Sequence, residues 1–476
     1  MASVLPSNLS FFMSRLQGVA TSHFKINPQT SNTGTANRIV RFELPSNTLL
    51  NFRSLRLFFQ MKATGNCASL PPDTSSFIER CSVYVGGVLV ANGFNGYNTL
   101  VHAKAALQGS KCGTLAHPEM VRLTSYHTFG TDGAGTAIGA TANEDYTADA
   151  VKHDLYCIDN FEGFLGSCEP AIMDTGALAT IVVEFALADN AIITSSIGRK
   201  LSGDAAGFDV VNGTPSSAFE LSEMTMQVEV LSLASNVIDT IVEQRISQVG
   251  YLSVPFKNYF SFANTHSGST RFNVNSASWD RLWVAYRDSD YGTTGAPVRI
   301  KGYKKAGAFT SAASIAASNA SAGAITQDIG VPEYDLGGVL NTNSEKYKPR
   351  YFNFEEKKAT IGTLSTYQLQ INSANIPSYP MNAVEALAMS MNSLDYYDKN
   401  HKLTLHQYKK NYFVQCFRFC LPDSDYSRLA SGLDARGVSS SCALNTTGVE
   451  SCNVMLFAEC TSELRIGAGR QIEVVV

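Results

Sequence analysis

One stretch constrains this chain more than any other, because it is written twice. Tyr367 to Leu394 reads YQLQINSANIPSYPMNAVEALAMSMNSL, and a worn copy without a gap runs from Cys81 to Gln108. In the later copy Leu369 and Ile371 alternate up to Asn372-Ser373, and Ala374 and Ile376 alternate away from it. In the earlier copy Val83 and Val85 lead to Gly86-Gly87, then Val88 and Val90. Gly and Asn tolerate the positive φ of a primed two-residue turn, so each copy predicts a hairpin, pairing Val85 with Val88 and Ile371 with Ala374. The alternation gives each hairpin one apolar face. A short loop then leads into helix formers, NTLVHAKAAL from Asn98 and MNAVEALAMSM from Met381. Asn382 followed three residues later by Glu385 is a capping-box pattern, while Gly96 or Asn98 must serve in the first copy.

The flanking segments repeat in the same order. HFKI (23–26), RIVRFEL (38–44) and SLRLFFQ (54–60) precede the first hairpin; NYFSF (258–262), TRFNV (270–274) and RLWVAYR (281–287) precede the second. Downstream, IVVEFALAD from Ile181 answers QCFRFCLPD from Gln415, and MTMQVEVL from Met224 loosely answers NVMLFAEC from Asn453. Short alternating strands separated by turn residues are the mark of a sandwich or barrel, and ordered self-similarity marks a duplication. The expectation is a β-sandwich of about 220 residues, present twice. Spacing between copies is 227 from Ser54 to Arg281, 286 from Cys81 to Tyr367 and 234 from Ile181 to Gln415. The rise places an insertion at 288–350 in the second copy, and the fall places one at 109–179 in the first; loop tips tolerate such additions. The expected division is an arm at 1–19, a first sandwich at 20–240, a connector at 241–250 and a second sandwich at 251–476. SNVIDTIVEQRISQVG (235–250) reads as either a helical connector or the last strand of the first copy.

Composition narrows the function. With 37 basic against 41 acidic residues the net charge is −4, and there is no long Lys/Arg run of the kind that grips phosphates. Sequence-specific nucleic-acid binding is not expected, although enclosing nucleic acid is compatible with this charge. No apolar run approaches the roughly 18 residues of a membrane span, and Met1 to Arg15 does not read as a signal peptide. Most of the ten cysteines are therefore expected to be free thiols, and the N-x-S/T triplets at Asn8, Asn212, Asn319 and Asn445 to be chance matches.

No catalytic pattern survives inspection. Gly133, Gly135 and Gly139 fail the spacing and the strand-to-helix context of a dinucleotide loop, and GxxxxGK[ST], HExxH and GxSxG are absent. Cys112 with His117, and Cys157 with Cys168, lack the spacings of zinc modules. Cys416 and Cys420 lie four apart in a strand pattern, about 13 Å at strand rise, too far to bond each other. His401 and His406 sit in a polar, Lys-rich segment, and Asp423 and Asp425 suit a turn after a strand. The sequence thus predicts no catalytic residue, metal site or cofactor.

The tandem sandwich, the hairpin YQLQINSANIPSYPMNAVEAL and the tail LRIGAGRQIEVVV together resemble the double jelly-roll major capsid proteins of eukaryotic double-stranded DNA viruses, of the polinton-like virus and virophage type. The resemblance implies an all-β chain of two upright eight-stranded jelly rolls with long loop insertions and a few short helices. It further implies a non-enzymatic homotrimer, a pseudo-hexameric capsomer that tiles an icosahedral shell around the genome. Implied partners are the chain itself, neighbouring capsomers, and penton and minor capsid or cement proteins; the implied location is the virion capsid, assembled inside the host cell. The arm at 1–19 would tie neighbours together beneath the shell. A competing reading is a carbohydrate-binding or glycan-cleaving β-sandwich, which would need stacked aromatics, with Trp279 and Trp283 the only tryptophans, and for cleavage two carboxylates at a defined separation.

Overall fold

A computed structural model describes residues 20–476, apart from 64–67, 70–73, 92–93, 110–153, 177–179, 190–192, 195–196, 200–207, 211–218, 233–236, 288–353, 360–363, 395–402, 406–407, 410–411, 422–431, 438–440, 468 and 470. The arm at 1–19 and the segment 288–350 fall outside the described residues, as do Cys112, His117, Gly133, Gly135, Gly139, His401, His406, Asp423 and Asp425.

Sixteen strands carry the architecture, eight in each half. The first half holds β1 (Ala20–Ile26), β2 (Ile39–Glu43), β3 (Leu49–Ala63), β4 (Ile78–Val85), β5 (Val88–Ala91), β6 (Asp154–Ile158), β7 (Ile181–Leu187) and β8 (Phe219–Ser232). The second holds β9 (Tyr251–His266), β10 (Ser269–Phe272), β11 (Trp279–Arg287), β12 (Thr366–Ile371), β13 (Ala374–Met381), β14 (Val414–Arg418), β15 (Cys442–Thr447) and β16 (Cys452–Gly467). In the first half the sheets run β1-β8-β3-β6 and β2-β7-β4-β5; in the second they run β9-β16-β11-β14 and β10-β15-β12-β13. Each order becomes the other when eight is added to every strand number. Every pairing within these sheets is antiparallel, and each half is a jelly roll: two facing sheets between which successive strands alternate in chain order, except at the hairpins β4-β5 and β12-β13, whose two strands share a sheet.

Alternation supplies the cores. Leu55, Leu57 and Phe59 of β3 point inward and are buried, while Arg56 between the two leucines is exposed. Facing strands complete the layer, with Phe42 of β2 set edge-on to Phe185 of β7 at 6.1 Å. Burying each such side chain is worth about 1.5–3 kcal/mol.

Both hairpins form as read. Val85 pairs with Val88 and Ile371 with Ala374. Gly86 and Gly87 adopt φ of 58° and 81°, Asn372 and Ser373 of 47° and 72°, the positive values that a primed turn requires. Their apolar faces are unequal, because β5 and β13 are edge strands: Val83 and Val85 are buried, but Val88 and Leu89 are exposed. Helix α1 (Tyr97–Gln108) follows the first hairpin, with Gly96 as N-cap. Two more helices precede the helix of the second hairpin: α2 (Phe164–Ser167) and α3 (Val237–Val249). Of the segment 235–250, Val237–Val249 is therefore helical rather than a strand. After β13, α4 (Ala383–Asn392) opens on the complete capping box, Asn382 accepting from the Glu385 backbone N–H and Glu385 from that of Asn382.

Two sequence readings are corrected. Residues 109–179 are not a simple insertion, since they contain β6, α2 and a short strand, Ile172–Asp174, that pairs with β3. The match of Ile181 with Gln415 is also misplaced: β7 lies between β2 and β4, whereas β14 pairs with β11. The counterpart of β14 is β6, starting 260 residues earlier at Asp154, and that of β7 is β15, 261 residues later at Cys442. The surplus of the first half thus splits into two parts, one between α1 and β6 and one between β7 and β8.

Ser373 holds a left-handed conformation that glycine adopts without steric cost. Ser373→Gly should therefore stabilise the chain by about 0.5–1 kcal/mol, read as a rise in melting temperature by circular dichroism, whereas Gly87→Ala should lower it.

Candidate functional site: the seam between the sandwiches

A sheet in a sandwich normally presents one face to the core and one to water, yet β11 is buried on both. Leu282, Val284 and Tyr286 face inward, where Tyr286 meets Tyr367 of β12 at 5.7 Å. Arg281, Trp283 and Ala285 point to the opposite side and are also buried. What covers them comes from the other half of the chain. Leu100, Ala103, Ala106 and Leu107 of α1 belong to the same core as Trp283, Met455 and Phe457. Phe94, just ahead of α1, packs on Tyr259 at 5.4 Å and on Phe457 at 6.0 Å. At Gly96 the backbone has φ +81°, which glycine adopts without steric cost, and the tip of the Met455 side chain lies over it.

The reciprocal contact lies at the far ends of β9 and β16. Val254, Phe256, Leu464 and Ile466 extend beyond their own sandwich and join the core of the first. Helix α2 is wedged there, with Phe164 edge-on to Phe52 at 5.9 Å and to Phe256 at 5.1 Å. Backbone bonds secure it: the Glu169 N–H donates to the Pro255 carbonyl (3.0 Å), and the Lys257 N–H to Ser167 Oγ (2.8 Å).

Charges are threaded through the apolar seam, each with a partner. Lys104 Nζ of α1 lies 2.5 Å from Glu162 Oε2 and donates to the Tyr259 hydroxyl at 3.0 Å, which itself donates to Glu162 at 3.1 Å. The ammonium also sits 5.7 Å from the centre of the Trp283 ring. Glu459 accepts from Arg281 Nη1 and from Trp283 Nε1, both at 2.9 Å. Asp280 accepts from Lys257 Nζ at 2.8 Å and from Thr461 Oγ1 at 2.5 Å. Burial alone would raise the Glu459 carboxyl, but Arg281, with Lys104 and Lys257 behind it, outweighs burial and holds it down at about 2. Buried pairs largely offset desolvation with attraction, so the apolar contacts supply the adhesion of this seam.

Burial pushes Cys81, Cys157, Cys168 and Cys460 up to about 12, leaving thiols that are neutral and poorly nucleophilic near pH 7. The cysteines among the described residues form no disulfide, Cys157, Cys168, Cys416 and Cys420 included. Among the described residues no group of three or more His, Cys, Asp or Glu could hold a metal, and no helix is long and apolar enough to cross a membrane. Trp279 and Trp283 are both buried, so neither offers a ring to a sugar. The sequence reading missed Lys104, Glu162, Arg281 and Glu459. The available signal was an ionisable residue inside an apolar run, as in HAKAAL, DRLWVAY and MLFAEC.

No family model matches the chain, and no curated protein sequence does. Solved structures do match along almost the full length. The structure of PBCV-1 VP54, fitted into a reconstruction of the virophage Sputnik, aligns with TM-score 0.57 and 12% identity over 97% of this chain and 98% of its own. A quasi-atomic model of the PBCV-1 virus capsid gives 0.54 and 10%, covering 97% and 98%, and the Faustovirus major capsid protein 0.51 and 8%, covering 96% and 94%. The fold of this chain is the double jelly roll of those capsid proteins.

The Glu459 carboxyl, held well below its ordinary value of 4.5, stabilises the fold fully above that pH and progressively less as pH falls toward 2. Melting temperature should therefore drop between pH 4.5 and 2. Glu459→Gln should start lower and fall less steeply over the same window. Separately, Lys104→Met should cost about 3–5 kcal/mol by taking the cation away from the buried Glu162 carboxylate, with partial recovery in the Lys104→Met, Glu162→Gln double variant; chemical denaturation reads both.

Proposed function

We propose that this chain is a non-enzymatic major capsid protein that trimerises into pseudo-hexameric capsomers, which tile an icosahedral shell around a double-stranded DNA genome. The observation that carries this reading is the repeated sheet order. Two sandwiches of one topology, fixed to each other by a buried seam, turn three chains into a ring of six similar walls, which packs on a flat facet. The division into an arm at 1–19, sandwiches at 20–240 and 251–476 and a connector at 241–250 belongs to the same reading. In it the chain's partners are further copies of itself, then neighbouring capsomers and penton and minor capsid or cement proteins, and it is located in the virion after assembly in the host cell. A net charge of −4 suits a wall that encloses nucleic acid without gripping it. The alternative, a carbohydrate-binding or glycan-cleaving sandwich, loses its best candidates in the burial of Trp279 and Trp283.

Light scattering on the purified full chain should give three times 51.4 kDa, or larger shells. A stable monomer at micromolar concentration overturns the proposal.

A further inference from the structure

Each sandwich carries one helix after its hairpin and one sheet face turned away from its core, and the chain mates only half of them. Helix α1 leans on its own sandwich through Tyr97 and Val101, and its other side, Leu100, Ala103 and Leu107, lies on the outer face of β9-β16-β11-β14. Helix α4 follows the second hairpin as α1 follows the first, and packs chiefly on β14. It leans on its own sandwich through Ala386 and Ser390, whose hydroxyl accepts from the Cys416 N–H at 3.0 Å. Its other side is uncovered: Val384 is 51% exposed, Ala388 is exposed and Met391 is half-buried, three positions spaced to share one helix face.

The sheets show the converse. In the second sandwich Trp283 and its cross-strand neighbour Phe457 form the row that α1 covers. The same row of the first sandwich is Arg56 with Gln227 and Lys25, and it is open, with Arg56 and Lys25 exposed and Gln227 and the nearby Phe58 half-buried. Among the described residues one helix side and one sheet face therefore remain, of the same two kinds that already fit together inside the chain.

We propose that the outer side of α4 docks on the open face of the β1-β8-β3-β6 sheet of a second copy of this chain, repeating between chains the seam that α1 makes within one. This rests on the self-association reading above and assigns it a surface. The contact is heterologous, helix of one copy to sheet of the next, so it propagates and closes into a ring where the rotation allows. Its chemistry differs from the internal seam in the direction expected of a surface that meets its partner after folding. Small apolar groups on α4 lie against the long aliphatic stems of Arg56 and Lys25, whose charged ends reach the rim. Glu385, in the first turn of α4, brings a carboxylate to those cations.

Two measurements on the full chain test this. Val384→Glu places a charge in the contact while remaining favourable in the first turn of a helix. It should weaken the trimer by about tenfold or more in light-scattering dilution series, with the melting temperature of the dissociated chain unchanged. The pair Arg56→Cys and Ala388→Cys should give disulfide-linked dimers and trimers on non-reducing gels, which neither single variant gives. Trimers that form normally in Val384→Glu and do not cross-link in the cysteine pair overturn the inference while leaving trimerisation standing. A lowered melting temperature in a chain that still trimerises also overturns it, because a segment of the same chain then covers α4. A wild-type chain that never trimerises overturns both readings.

Discussion

A β-sheet that is apolar on both faces cannot be satisfied by a single partner sheet, and β11 and β16 form such a sheet. One face closes against β12 and its neighbours, as in any sandwich. The other needs a second cover, and the chain supplies it from 180 residues upstream, in the shape of α1. From that one demand follow the fixed docking of the two halves, the glycine at position 96 and the polar contacts that keep Lys104, Arg281 and Glu459 from lying unpaired in an apolar layer. The first sandwich makes no equal demand within the chain, since its outer row is Arg56 and Gln227 rather than Trp283 and Phe457. The two halves share one strand order, and only one of them presents an adhesive outer face inside the chain.

Much of this was legible in the residues. Turn chemistry at Gly86-Gly87 and Asn372-Ser373 is local, so positive φ and two-residue pairing could be read directly. The capping box at Asn382 and Glu385 is equally local. The match of β3 with β11 also held, because both are central strands with the same inward positions. What failed was the identity of strands that look alike but sit in different sheets. β7 and β14 are both short, and each is followed closely in the sequence by Leu-x-Asp, but period-two alternation records which residues face a core and not which sheet they join. The true counterpart of β14, the five-residue β6, is too short to stand out beside the long segment that precedes it.

The seam itself was illegible for a different reason. A helix covered on one side shows a stripe, whereas α1 is buried around nearly its whole circumference, including Asn98, His102 and Lys104. Its sequence therefore resembles a mixed polar helix, and only the partners reveal that its lysine is neutralised by Glu162 and its asparagine bonded to the Ser76 carbonyl. Ionisable residues embedded in apolar runs are the trace that such a joint leaves in a sequence, and three of them mark this one.

Among the described residues, aromatic wedges, interlocked strand ends and paired charges pack the joint between the halves like the interior of a single domain. A planar lattice of such molecules would inherit its flatness from inside each subunit. Curvature, and with it particle size, would then be decided wholly at the borders where one molecule meets another.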